Sequence, residues 1–136
     1  MSNIVVPVVE LLQKLDNYIS SDLNGCDLRL GTNDVTPNRD SVLGDFTEAS
    51  FAGYAAQTLG AWSSAFDTGA DVATTHPTVT FSNTDLTDEA VYTAYATLGS
   101  PADTLLFATR LDGAPVTIPA GTGSLDVTPT YTEDNT

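Results

Sequence analysis

The chain has 136 residues, of which 18 are acidic and four basic, with a single histidine (His76), a single cysteine (Cys26) and a formal net charge of −14. A chain of this length normally forms one domain that buries roughly two-thirds of its unfolded surface. Few side chains remain for nucleophilic or acid–base catalysis or for metal capture. The charge disfavours nucleic-acid phosphate and anionic membranes, and it favours a basic partner surface.

One cysteine cannot form an internal disulfide, so nothing points to an oxidising compartment. The apolar stretch 4–9 is short, broken by Pro7 and preceded by no basic run. Neither a signal peptide nor a membrane span is therefore expected, and synthesis in a reducing cytoplasm is the default. The carboxylates are dispersed and not gathered in a tract, as on a folded, decorated surface.

The only helix expected starts at Pro7. Val8, Leu11, Leu12, Leu15, Tyr18 and Ile19 form one apolar stripe, Glu10 and Lys14 can pair on the other side, and Asn24-Gly25 supplies the stop. The stripe can pack on its own domain or on a neighbouring chain. From Gly25 onward the pattern is strands and turns. Residues 26–32 alternate, with Cys26, Leu28 and Leu30 on one face. The stretch 33–41 is turn-rich around Thr36-Pro37-Asn38, and 47–52 is ambiguous between loop and a short helical turn. Further strands are predicted at 54–58, 61–66, 78–82, 90–98, 104–111, 116–118 and 124–132, rich in Thr and Val. Turns fall at Asp67-Thr68-Gly69, 98–101, Asp112-Gly113 and 120–123. Short strands at near-regular spacing predict a mainly β fold: a single antiparallel β-sandwich of jelly-roll type with one N-terminal helix. Residues 1–25 would form an arm and helix, 26–132 the sandwich and 133–136 a frayed polar tail.

Phe66-Asp67-Thr68-Gly69-Ala70-Asp71-Val72 resembles the active-site loop of retroviral-type aspartic proteases. That resemblance implies two such loops whose carboxylates share a proton, one acting as base and the other as acid. The strand before it is only weakly apolar, no glycine-rich flap follows, and Arg110 lacks the glycine that the family places before its later arginine. The motif therefore reads as a hairpin turn. Asp85, Asp88 and Glu89 form the nearest approach to a calcium-binding cluster, but the spacing of a calcium loop is missing and a solvated loop is expected. His76 reads as a loop residue, Cys26 as a small core residue and Trp62 as a core anchor in preference to a sugar platform. No catalytic residue, metal or cofactor is expected.

The segment Leu28-Arg29-Leu30-Gly31-Thr32-Asn33-Asp34-Val35-Thr36-Pro37 is followed by Asp45-Phe46-Thr47-Glu48-Ala49-Ser50-Phe51-Ala52-Gly53-Tyr54. Together they resemble small virion-associated proteins of tailed bacteriophages, and the likeness extends softly over about 4–132. The resemblance implies a β-rich structural subunit, either a cement (decoration) protein on the capsid surface or a tail-associated fibre or adhesin component. The chain lacks the long repetitive segments of a fibre, which favours the capsid. The expected partners are the major capsid protein or other virion proteins, with assembly as a homotrimer in the virion and no nucleic-acid or membrane ligand. The candidate interface combines Leu11, Leu15 and Tyr18 of the helix with the turn Val35, Thr36, Pro37, Asn38, Arg39 and Asp40.

Overall fold

Pro7 caps the N-terminus of helix α1 (Val8–Tyr18), which continues through one π-helical turn (Ile19–Leu23) before Gly25, at φ +103°, reverses the chain. Only a residue without Cβ adopts that backbone cheaply, which is why Asn24-Gly25 ends the helix. Leu15 and Ile19 are buried, and Leu11, Leu12 and Tyr18 pack against the same core. The stripe thus meets its own domain, leaving Val9 exposed on the opposite side.

The computed structural model describes residues 7–99 and 104–133. Beyond α1 the chain is mainly β. In chain order the strands are β1 (Cys26–Gly31), β2 (Gln57–Leu59), β3 (Phe66–Asp67), β4 (Val72–Thr75), β5 (Val79–Asn83) and β6 (Glu89–Val91). They continue with β7 (Thr93–Leu98), β8 (Thr104–Arg110), β9 (Val116–Ile118), β10 (Gly123–Val127) and β11 (Thr130–Glu133). All pairings are antiparallel, and the result is a sandwich-like β domain with one N-terminal helix. One layer is a four-stranded sheet in the order β2-β1-β7-β8. The facing ribbons are β11-β4-β3 and β10-β5, with β6-β9 as a third short pair.

The register puts Leu28 opposite Ala96 and Leu30 opposite Ala94, so these four side chains share the inner face. Cys26, Leu59 and Phe81 join them, with Leu15, Leu23 and Trp62 packed in from the helical side. Trp62 donates its indole N–H to the Leu23 carbonyl at 2.9 Å, tying the end of the helical segment to the sandwich. From there an aromatic chain runs Trp62–Phe107–Tyr131–Tyr18, each step with ring centroids 5.4–6.0 Å apart. Offset and edge-on rings at this spacing add to the stabilisation from buried area alone.

Several predicted strands differ in detail from the observed ones. The expected strand at 90–98 is two strands in different sheets, because the chain crosses between layers at Tyr92. The expected strand at 124–132 is likewise two, broken at Thr128-Pro129. The facing break lies at His76-Pro77-Thr78, where His76 N–H reaches the Pro129 carbonyl and the Thr78 and Thr128 hydroxyls meet at 2.6 Å. Proline has no N–H for a ladder, so paired prolines interrupt both strands at one level. Residues 54–58 and 61–66 form ladders only over Gln57–Leu59 and Phe66–Asp67. Strand β4 was not predicted. Val72, Ala73 and Thr74 are buried in succession and so show no alternation. Residues 47–52 contain no helix; the short 3₁₀ turn lies earlier, at Leu43–Asp45. Glu133 ends β11, while the rest of the expected tail and residues 1–6 of the expected arm lie outside the described residues.

Candidate interaction surface

The segment after β1 leaves the sheet, runs outward as a loop and returns to lie on the same strand. Its two ends are clasped together. Asn33 donates its side-chain N–H to the Asp45 carbonyl at 2.7 Å and accepts the Thr47 N–H at 2.9 Å. Thr32 N–H reaches the Thr47 carbonyl, and Ala49 N–H the Leu30 carbonyl, both at 2.9 Å. Asparagine suits this place because one side chain offers both a donor and an acceptor.

Below the clasp, the returning chain covers the outer face of the four-stranded sheet. Phe46 stacks on Tyr95 with centroids 4.7 Å apart. Arg29 is held at 2.7 Å from Glu48 and 2.8 Å from the Thr97 hydroxyl. Tyr54 donates to the same Glu48 carboxylate at 2.8 Å and accepts the Leu30 N–H at 3.2 Å. Burial, then the bond to Glu48, pushes the Tyr54 phenol well above its ordinary range. Two glycines are required by close approach: a Cβ on Gly31 would collide with the Thr93 hydroxyl, and Gly53, at φ +88°, lies against Thr84.

The clasp displays the turn that was expected to meet a partner. Arg110, stacked over Tyr92, donates to Asp34 at 2.7 Å and to the Val35 carbonyl at 3.1 Å, fixing the outgoing limb beside β8. The tip is closed by Asn38, whose side chain accepts the Asp40 N–H and whose N–H reaches Ser41. Thr36, Asn38, Arg39 and Asp40 are exposed, and Val35 and Pro37 are half-buried.

The helical part of the expected interface is corrected at Leu15. Leu15 is 0% exposed, and Leu11 and Tyr18 pack on the domain's own core, Tyr18 against Tyr131. The helix lies on β3 and β4 whereas the turn lies against β8, so the two sets do not form one surface. Leu15 is thereby out of a partner's reach, whereas Leu11 and Tyr18 are only half-buried.

Asp67-Thr68-Gly69 is a self-contained hairpin turn. The Asp67 carboxylate accepts the Gly69 N–H, and the Thr68 hydroxyl bridges both backbone groups of Asp71. The Asp85 and Asp88 carboxylates likewise accept backbone N–H groups, from Leu86 and Ala120, bracing neighbouring loops. Trp62, 8% exposed, presents no platform to a sugar. His76 is the loop residue expected, lying between β4 and β5, but it is buried. It is 7% exposed, packs edge-on against Trp62, and uses Nδ1 at 2.8 Å from the Pro77 carbonyl. No sequence signal marks it as buried, since the strand β4 that precedes it was itself concealed.

Asn33→Ala removes both side-chain bonds of the clasp. The expected cost is about 1–3 kcal/mol, with faster hydrogen exchange at Thr47 while β1 stays protected. Equal exchange in variant and parent would refute the role assigned to Asn33.

Burial, then the nearby Asp27 charge, pushes the Cys26 thiol up to about 11, and burial lifts Tyr95 and Tyr131 to about 12. These groups are neutral when protonated, so above the ordinary thiol value of 9.0 the unfolded chain releases protons that the folded chain retains. Their contribution to stability is complete below pH 9.0 and declines as the pH rises towards 12. Urea midpoints should therefore fall between pH 9 and 11; a flat or rising profile would contradict this.

No protein-family model, curated protein or solved structure matches the chain.

Proposed function

We propose that the chain is a non-enzymatic structural subunit of a bacteriophage particle, a cement protein that attaches to the assembled capsid surface and stabilises it. The observation that carries the reading is the clasp. The residues that resemble the virion-protein pattern (Leu28, Leu30, Asn33, Phe46, Glu48, Gly53 and Tyr54) hold a loop against a sheet and present its tip. A pattern whose residues build and display a surface loop supports an attachment role.

Charge supports the same reading. With 18 acidic residues against four basic ones, and Arg29 and Arg110 already in ion pairs, the outer surface is anionic and attracts a basic shell. Assembly as a homotrimer at capsid three-fold positions belongs to the same proposal.

The test is co-sedimentation of the purified chain with empty shells of the encoding phage, and separately with host cells. The cement reading expects saturable binding to shells that weakens with rising salt. Binding to host cells and not to shells would replace it with the adhesin reading.

A further inference from the structure

We propose that Asn24-Gly25 is a modification site controlled by the fold. The closed junction between the helical segment and β1 keeps Asn24 as the amide, and local opening of that junction commits it to deamidation. Asparagine followed by glycine is the pair most prone to this reaction, because glycine has no side chain to obstruct its own backbone nitrogen. The fold requires the glycine, at φ +103°. It makes no such demand on Asn24, which is exposed, has an extended backbone (φ −73°, ψ 113°) and makes no side-chain hydrogen bond among the described residues.

The reaction needs only water. The Gly25 nitrogen attacks Cγ of Asn24 and closes a five-membered ring. The Cγ–Nδ2 bond breaks, and Nδ2 leaves as ammonia with the proton from the Gly25 nitrogen. Water then opens the ring at either carbonyl. Attack at Cγ gives aspartate. Attack at the main-chain carbonyl carbon gives isoaspartate, in which the chain reaches Gly25 through Cβ and Cγ and carries a new carboxylate.

The closed junction blocks the first of these bonds. Gly25 N–H is donated to the Leu59 carbonyl at 2.9 Å, extending the ladder in which Cys26 faces Leu59. Asn24 N–H is donated to the Ile19 carbonyl at 2.9 Å, and the Trp62 indole holds the Leu23 carbonyl at the same distance. Ring closure requires ψ of Asn24 to rotate until the Gly25 nitrogen eclipses Cβ, whereas at ψ 113° it is turned well away. That rotation breaks the bond to Leu59, and the flanking Leu23 and Cys26 are both 0% exposed. The reaction therefore waits on local opening of the junction. Isoaspartate places an additional main-chain carbon between Leu23 and Gly25, whose positions Trp62 and Leu59 fix, so the modified junction does not close as before. The inference rests on the junction alone, and its failure would leave the cement reading standing.

The test incubates the full chain at neutral pH, folded and in urea, and follows Asn24 by peptide mapping with mass spectrometry. Conversion in the folded chain should be slower than in urea by more than about tenfold. Trp62→Phe frees the Leu23 carbonyl and should speed conversion in the folded chain about five- to thirtyfold. Asn33→Ala loosens the distant clasp and should speed it less. Asn24→Gln, whose ring would be six-membered, should abolish conversion without moving the urea midpoint. Purified isoaspartate chains, once refolded, should show a lowered midpoint, while Asn24→Asp stays close to the parent. Equal rates in the folded chain and in urea, equal acceleration by Trp62→Phe and Asn33→Ala, or a parental midpoint for the isoaspartate chains would each overturn the proposal.

Discussion

Leu15→Asp is expected to unfold the domain, not merely to detach a partner. Leu15 is 0% exposed and sits where α1 meets the sandwich core. Removing a buried leucine side chain costs about 2–5 kcal/mol, and an unpaired buried carboxylate adds several more unless it takes up a proton. Domains of this size are stable by about 5–15 kcal/mol, so loss of most or all of the cooperative urea transition is the predicted result. The control lies on the same helix. Val9 is 67% exposed, and Val9→Asp should change stability by no more than about 0.5 kcal/mol. A folded Leu15→Asp variant with an unchanged midpoint would show that the helix does not carry the core.

Trp62→Ala has the second large expected effect, about 3–5 kcal/mol. The indole occupies the junction of three elements: it bonds the Leu23 carbonyl, and its ring meets His76 beyond β4 and Phe107 on β8. Trp62→Phe keeps most of the apolar volume but leaves the Leu23 carbonyl without its donor, for about 1–2 kcal/mol. If both variants cost the same small amount in denaturant titrations, Trp62 is not the anchor that the contacts describe.

Much of the fold was legible because its signals are local. The helical stripe ending at Asn24-Gly25, the alternation of Cys26, Leu28 and Leu30, and the strand at Val116–Ile118 all declare themselves within a few residues. What stayed hidden depends on partners distant in sequence. Strand β4 is covered on both sides and so has no alternation to read. The breaks at Pro129 and Tyr92 depend on which sheet receives the next residue, and continuous Thr- and Val-rich runs do not encode that.

The candidate surface divides in the same way. The turn 35–40 was recognisable from its own residues. Its clasp was not, because Asn33 and Thr47 are separated by the loop they close. The helix stripe suited its own core or a partner, and the packing on Tyr131 and β4 is what shows that it meets its own domain.

Under the proposed cement function the chain stabilises an assembled shell by binding to it. Calorimetric melting of empty shells, with and without saturating chain, tests it most directly. A ligand that binds only the assembled state raises its stability by about 2.7 kcal/mol at a hundredfold excess over Kd. The account predicts an upward shift in shell melting that is diminished by salt. An unchanged melting temperature with fully folded chain present would contradict it.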